Sequence, residues 1–219
     1  MRIRSFLFDM DGVLIDSLSM DLVAVNRIIG RRFGRTVDDD FIRSIFAYDI
    51  PEFWGMILGK IEVPADPGIQ ADIIREYREI RNIYEFKLLP GVVELLEAVK
   101  GRGCPCAVAS NNSDDDIHLV LQKVKLTRFF DVIVGNDHIA RKKPNPDIYI
   151  YAAGRMNVDI KQAAVLEDSV VGVQAGMTAG AWAIGVATGG TAASELRSAG
   201  AHKVVDTLLQ IELEKLLMS

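Results

Sequence analysis

The chain has 219 residues, of which 49% are hydrophobic and 25% are charged, and its formal net charge is −5. This length accommodates one packed core, or a core with an insertion. The acidic balance argues against a nucleic-acid partner, because there is no basic excess to neutralise phosphates. No apolar run reaches the length of a membrane span, so we expect neither nucleic acid nor a membrane as a partner.

The start of the chain and its cysteine content are typical of a cytoplasmic protein. The first apolar run ends at Asp9, too early for a secretory signal. The two cysteines, Cys104 and Cys106, are interpreted as packed thiols in a reducing compartment rather than as a disulfide. Nothing in the sequence marks a subunit interface, and a monomer is a plausible state.

Short apolar runs alternate with helical patterns over most of the chain. This alternation predicts an α/β fold, a Rossmann-like, doubly wound parallel sheet with helices on both faces. A helix is expected after Gly91, and further helices are expected to start at Asn145, as N-cap, and at Thr207. The strand candidates are 3–8, 106–109, 132–134, 163–166, 182–186 and 203–205.

The alternation is interrupted between residues 17 and 88. No convincing strand pattern occurs there, and helical patterns are found up to Gly34 and near 38–47, 51–60 and 68–85. We therefore predict a catalytic core formed by residues 1–16 and 89–219, and a helical cap domain formed by residues 17–88. The cap is inserted after the first strand.

Polar residues follow four of the predicted strands. Ligands of doubly wound sheets bind outside the carboxyl ends of the strands, so these residues are expected to meet at one edge. Carboxylates, a hydroxyl group and a lysine in one place suit Mg²⁺-assisted phosphoryl transfer. The residues are Asp9 and Asp11, then Ser110 and Asn111, then Lys143, and finally Glu167 and Asp168.

The same stretches resemble the motifs of the haloacid dehalogenase superfamily, in its capped, β-phosphoglucomutase-like branch. Each string alone is a weak signal, but four strings in the expected order, each beside a predicted strand end, are specific. The strings are Asp9-Met10-Asp11-Gly12-Val13-Leu14, Val108-Ala109-Ser110-Asn111, Lys143-Pro144-Asn145-Pro146-Asp147-Ile148-Tyr149 and Leu166-Glu167-Asp168-Ser169.

The resemblance implies a role for each of these residues. Asp9 would attack phosphorus and become an aspartyl phosphate, and Asp11 would protonate the leaving group and then activate water. Ser110 and Lys143 would be catalytic and, together with Asn111, would bind the phosphoryl group of a small phosphorylated metabolite. The implied cofactor is Mg²⁺, organised by Asp9, Asp11, Glu167 and Asp168.

Three functions stay open on the sequence. A phosphatase acting on a sugar or sugar-acid phosphate is the leading hypothesis. A hexose-phosphate mutase is the alternative, but the positions where that pattern has a cap histidine and a cap arginine fall near Asp21 and Ile50. A phosphate-accepting receiver domain is the third, and the helical insertion would have no purpose in it. In a purely structural interpretation, Asp9 and Asp11 would be a helix cap and a turn acid.

Overall fold

Six parallel strands form one sheet in this computed structural model, which describes residues 2–218. The sheet order is β3-β2-β1-β4-β5-β6, so β1 is central and pairs with both β2 and β4. The predicted doubly wound sheet is therefore confirmed. The strands are β1 (Ser5–Phe8), β2 (Cys106–Ala109), β3 (Val132–Val134), β4 (Ala163–Glu167), β5 (Trp182–Val186) and β6 (Lys203–Val205).

Helices cover both faces of this sheet because its central strands are apolar on both sides. Phe6 and Phe8 of β1 belong to one hydrophobic cluster, whereas Leu7 between them belongs to another, as the alternation of side chains along a strand requires. The helices of the core are α5 (Val92–Gly101), α6 (Asp114–Lys123), α7 (Asp147–Arg155), α8 (Val170–Ala179), α9 (Ala193–Ser198) and α10 (Leu213–Met218), where α1 to α4 denote the helices of the insertion described next.

The insertion consists of four helices with a hydrophobic cluster of their own. Trp54 and Tyr77 pack edge to face in this cluster, with ring centroids 5.6 Å apart. Gly34 ends the first helix in the left-handed conformation, with φ 63°, as the sequence suggested. The helices are α1 (Leu18–Phe33), α2 (Asp39–Ser44), α3 (Ile50–Lys60) and α4 (Pro67–Ile83). The division at residues 16/17 and 88/89 into two domains stays a prediction.

Some predicted boundaries were wrong. The first strand begins at Ser5 rather than at residue 3. Asn145 does not cap α7, because Pro146 takes the N-cap position and the Asn145 amide instead donates to the Lys142 carbonyl. Thr207 precedes only a short 3₁₀ turn, and the last helix starts at Leu213. At Asn145 a local side-chain hydrogen bond competes with capping, and the periodicity of apolar residues does not report such bonds.

Within residues 2–218, no helix has both the length and the hydropathy that crossing a membrane requires.

Candidate active site

Asp9 lies at the carboxyl end of the central strand, where the sheet reverses its winding. Its backbone N–H donates to the Leu166 carbonyl at 3.0 Å, which continues the pairing of β1 with β4 by one residue. The residue is only 7% exposed. A carboxylate at this point of a doubly wound sheet faces the crevice in which such folds bind ligands.

Lys143 is buried beside Asp9 and uses all three of its ammonium hydrogens. Its Nζ donates to Asp9 Oδ1 at 2.6 Å, to Glu167 Oε1 at 2.6 Å and to the Ala109 carbonyl at 2.9 Å. Burial by itself lowers the pKa of this lysine, but the carboxylates of Asp9 and Glu167 outweigh burial and raise it. Lys143 is therefore a fixed positive charge at the floor of the site.

Glu167, at the end of β4, is fully buried and accepts three side-chain hydrogen bonds, one of them from Lys143. The hydroxyl of Tyr149 on α7 donates to Oε1, and Ser169 donates to Oε2 at 3.1 Å. Burial and the charge of Glu167 raise the pKa of Tyr149 well above its usual value, so this phenol stays a donor. Glu167 therefore holds Lys143 in place, and its Oε2, which accepts only the Ser169 hydrogen bond among the described residues, keeps a lone pair for another ligand.

The site contains more buried negative charge than it compensates. Oxygen atoms of Asp9, Glu167 and Asp168 lie within 4.8 Å of one another, and Lys143 is the cation bonded to two of these carboxylates. Burial, with the neighbouring carboxylates, raises the pKa of Asp9 to about 8 and also raises the pKa of Asp168. Three carboxylates and one ammonium leave two negative charges, which a divalent cation would neutralise.

The surroundings of Asp168 fit a metal ligand. Its Oδ2 is buried and, among the described residues, has no hydrogen-bond partner. The backbones of Gly12 and Gly189 pack so closely against this carboxylate that a Cβ atom at either position would collide with it. A buried, unpaired carboxylate oxygen is costly unless a cation completes it, and oxygen ligands are those that Mg²⁺ prefers.

Asp11 lies two residues beyond Asp9 and faces a different set of partners. Its Oδ2 accepts a hydrogen bond from the Asn112 amide, which also donates to Ser110 Oγ at 3.1 Å. Its Oδ1 accepts from Arg81 Nη2 at 3.2 Å. Asn112 thus joins Asp11 to the hydroxyl that follows β2. Asn112 is not among the site residues predicted from the sequence.

A cavity of about 50 Å³ lies above these groups, and residues of the insertion form part of its lining. Asp21 and Ile50 both line it, so the two positions of the mutase pattern do reach the site but hold an acid and an aliphatic residue. Asn111 lines it too, and its amide donates to the Ala47 carbonyl of the insertion at 3.5 Å. The aromatic lining residues are Phe46, Tyr48, Phe53 and Tyr77.

The structure brings all seven predicted site residues to this edge of the sheet, and all of them except Glu167 line the cavity. Sequence reasoning missed Arg81, a buried cation of α4 that reaches Asp11. It also missed Tyr149, although that residue lies within the quoted lysine motif. Arg81 gives no signal in the sequence, since it is one of several arginines on a helix 70 residues from Asp11.

Comparison with known proteins agrees with this geometry. A family model described as haloacid dehalogenase-like hydrolase matches residues 6–186. The phosphorylated carbohydrates phosphatase of Thermotoga maritima is 30% identical over 179 residues, which cover 81% of this chain and 82% of that protein. The fructose-1-phosphate phosphatase of Escherichia coli is 28% identical over 84% of this chain and 97% of its own length.

Solved structures resemble the whole molecule. CbbY from Rhodobacter sphaeroides, in complex with phosphate, superposes with a TM-score of 0.84 at 28% identity and covers 98% of this chain and 99% of its own. A β-phosphoglucomutase from Clostridium difficile reaches a TM-score of 0.83 at 23% identity over 99% and 96% of the two chains, a likeness of fold alone.

Proposed function

We propose that this chain, which belongs to the β-phosphoglucomutase-like branch of the haloacid dehalogenase-like hydrolases, requires Mg²⁺ for its activity. The chain is a phosphatase. We propose further that it hydrolyses a small phosphate monoester, a sugar or sugar-acid phosphate, through an aspartyl phosphate on Asp9. The observation that carries the proposal is the pairing of a buried Asp9 with Lys143 directly beneath a cavity that Asp11 also lines. In this proposal Asp9 is the nucleophile and Asp11 is the general acid and base.

In the first half-reaction a carboxylate oxygen of Asp9 attacks phosphorus. The new bond joins that oxygen to phosphorus, the bond from phosphorus to the ester oxygen breaks, and Asp11 gives its proton to the leaving alcohol. Lys143 offsets charge on the nucleophile and on the phosphoryl oxygens because it stays protonated at Asp9. Ser110 and Asn111, at the end of β2, bind the phosphoryl oxygens.

In the second half-reaction water replaces the leaving alcohol. Asp11, now a carboxylate, takes a proton from water as the water oxygen attacks phosphorus, and the bond from phosphorus to Asp9 breaks. The insertion keeps bulk water from the site while the phosphoenzyme exists. The cycle returns Asp9 as a carboxylate and releases inorganic phosphate.

Asp9 and Asp168 are the residues that we propose to hold Mg²⁺, with Asp11 at the same edge. Glu167 acts on the ion through its charge and through Lys143, and its Oε2, which accepts one hydrogen bond, is available to the ion or to a water molecule bound to it. When bound, the ion supplies charge neutralisation for the transferring phosphoryl group. Asp9 and Asp168 carry raised pKa values without it, so ion binding and loss of protons from the cluster are linked.

The substrate class rests on the relatives and on the lining of the cavity. The relatives act on phosphorylated carbohydrates and on fructose 1-phosphate, as their names state. The insertion contributes aromatic rings together with the polar groups of Asp21, Tyr77 and Arg81. Aromatic faces and a few polar groups suit a small polyol that carries one phosphate.

The test is phosphate release from a panel of sugar, sugar-acid, nucleotide and acyl phosphates, with Mg²⁺ and with EDTA. Mg²⁺-dependent release that is lost in Asp9→Asn is the expected result. No release from any compound, together with conversion of β-glucose 1-phosphate to the 6-phosphate when a bisphosphate is added, would transfer the assignment to a mutase.

A further inference from the structure

Asp21, on the first turn of α1, is a buried carboxylate that the proposed chemistry does not use. It lines the cavity together with Asp9 and is 6% exposed. Its Oδ1 accepts a hydrogen bond from the Tyr77 hydroxyl at 2.5 Å, whereas its Oδ2 has no hydrogen-bond partner among the described residues. A buried carboxylate oxygen without a donor is unfavourable, so this oxygen is suited to accept a hydrogen bond from a ligand.

Tyr77 holds the Asp21 carboxylate in one orientation. Its ring packs edge to face against Trp54, with the centroids 5.6 Å apart, and lies tilted against Phe53 at 6.5 Å. Burial, with the charge of Asp21, raises the pKa of Tyr77 well above its usual value, so the phenol stays a donor. The hydroxyl therefore occupies Oδ1 and leaves Oδ2 as the acceptor that a ligand would meet.

Asp21 also lies close to the point where the chain enters the insertion. Its backbone N–H donates to the Ser17 carbonyl at 3.0 Å. The Asp16 N–H donates to the Lys87 carbonyl at 3.0 Å, so the entering and leaving segments lie side by side. A rotation of the insertion about these two segments displaces the first turn of α1 less than it displaces the distant helices. Asp21 therefore stays close to the site when the insertion moves.

The charges that line the cavity favour a substrate with a single anionic group. Among the described residues of the lining, the two cations are Lys143 and Arg81. Lys143 donates to Asp9, and Arg81 donates to Asp11. In the proposed mechanism the phosphoryl group of the substrate lies at Asp9. A second anionic group, at the other end of the substrate, would meet the charge of Asp21 and no unpaired cation.

We propose that Asp21 is a specificity-determining residue that accepts a hydrogen bond from a hydroxyl of the leaving group and disfavours a second anionic group there. This rests on the proposed phosphatase function and narrows its substrate to a neutral sugar or polyol with one phosphate. A hydroxyl can donate to Oδ2 of Asp21, whereas an ionised carboxylate has no proton to donate and is repelled by the buried charge. Sugar-acid phosphates are then the poorer substrates.

The test measures kcat/KM for matched pairs of substrates with Mg²⁺ at pH 8, above the pKa of about 7 to which burial raises Asp21. Glycerol 3-phosphate is paired with 3-phosphoglycerate, and glucitol 6-phosphate with 6-phosphogluconate, because a carboxylate replaces one hydroxymethyl group in each pair. The wild type should prefer the neutral member by about 10- to 100-fold. Asp21→Asn should lose most of this preference, since the amide carries no charge.

Glu79→Gln is the matched control, because it removes the same charge from an exposed side chain of α4 that does not line the cavity. It should keep the wild-type preference. An Asp21→Asn variant in which kcat/KM falls by one common factor for both members of a pair would overturn the proposal, since a purely structural role predicts that result.

The wild type alone also separates this proposal from the proposed function. A preference for the acidic members, or release of phosphate from other compounds of the panel but from neither neutral member, would refute the role of Asp21 and leave the phosphatase standing. Wild-type protein that releases no phosphate from any compound would instead overturn the proposed function.

Tyr77→Phe provides a second variant that keeps the Asp21 carboxylate, in case Asp21→Asn does not fold. It removes the donor to Oδ1 and so frees the carboxylate to rotate. We expect a smaller loss of the preference, in the same direction as for Asp21→Asn. If only Tyr77→Phe folds, a preference equal to that of the wild type contradicts the proposal.

Discussion

The site combines several buried ionisable groups whose partners differ sharply. Glu167 is surrounded by donors and acts as a structural anion, whereas Asp168 keeps an oxygen without a partner among the described residues. Adjacent carboxylates on one strand end therefore have different tasks. Unpaired buried charge of this kind is unfavourable in the empty protein and becomes favourable when a cation binds.

Asp9→Asn tests this balance of charge. The substitution should abolish turnover, with a loss of at least about 10⁴-fold, because an amide is a poor nucleophile. Lys143 keeps its bond to Glu167, so the fold should persist. In thermal melts the rise of Tm with added Mg²⁺ should shrink relative to the wild type, while the Tm in EDTA should be equal or higher. A full Mg²⁺-linked rise of Tm in the variant would contradict Asp9 as a ligand.

Asp21 is a second buried carboxylate, and it should make stability depend on pH. Burial raises the pKa of Asp21 from 3.8 to about 7. The hydrogen bond from Tyr77 at 2.5 Å and the charge of Arg81 lower this pKa, but by less than burial raises it. The folded protein then binds the Asp21 proton more tightly than the unfolded chain does. Proton binding at Asp21 therefore adds to the free energy of unfolding, fully below pH 4, and this addition is lost as the pH rises through about 7.

Asp21→Asn should therefore be more stable than the wild type at pH 8, by about 1–4 kcal/mol, with the advantage fading towards pH 4. The amide introduced by this substitution would still offer an oxygen to the Tyr77 hydroxyl. The measurement is urea unfolding of both proteins at several pH values. A difference in unfolding free energy that stays constant between pH 4 and 8 would sink this explanation.

At the scale of elements, the carboxyl ends of β1, β2 and β4 bring the polar residues together, and α8 supports them. Ser169 caps α8 by accepting from the Gly172 N–H at 3.0 Å, so the helix starts directly beneath Glu167. Gly172 has no side chain where the Glu167 carboxylate lies, and a Cβ there would collide with it. The helix and the carboxylate can be this close only because residue 172 is a glycine.

Gly172→Ala should displace Glu167 and, with it, Lys143. We expect a loss of about 2–4 kcal/mol in the free energy of unfolding, as for overpacked cores, and a fall in kcat. Gly154→Ala in α7 is the matched control, since nothing lies within 4 Å of its added Cβ. That variant should be unchanged or about 0.5–1 kcal/mol more stable, measured by the same denaturant titration. Equal stabilities of the two variants would refute the packing argument.

The ends of β1, β2 and β4 could be predicted because each of these strands is a short apolar run that gives way to polar residues. Asp9, Ser110 and Asp168 were located in this way, and parallel pairing brings their ends to one edge of the sheet. Arg81 could not be found, because its contact with Asp11 depends on how α4 is oriented over the core. Helix periodicity identifies a buried face but not the partner it meets.

On the scale of the whole molecule, the insertion and the core both line the site. The cavity of about 50 Å³ has room for a few water molecules and not for a sugar phosphate. We therefore expect the insertion to move away for substrate to enter and to return for reaction. Contacts across this boundary should then set the balance between the two arrangements.

The ion pair between Lys142 and Asp49 is such a contact. Asp49 caps α3 by accepting a hydrogen bond from the Glu52 N–H at 2.9 Å, and its side chain is only 2% exposed. Lys142 reaches Asp49 from the loop of the core that also carries Lys143. Lys142→Met would leave Asp49 buried without its cation in the closed arrangement, which costs more than a surface pair would. Opening would restore water to Asp49, so the closed arrangement loses population.

We therefore expect Lys142→Met to raise KM by about 3- to 10-fold, equivalent to roughly 1 kcal/mol, with a smaller change in kcat. The adjacent Arg141→Met is the control, because Arg141 pairs with Asp147 within the core, at 2.7 Å, and does not cross the boundary. Steady-state kinetics of both variants on the best substrate of the panel decides the question. A fall in kcat at unchanged KM would instead show that Lys142 acts through the neighbouring Lys143. The position of the insertion would then be set by the hydrogen bond from Asn111 to Ala47 and by apolar packing.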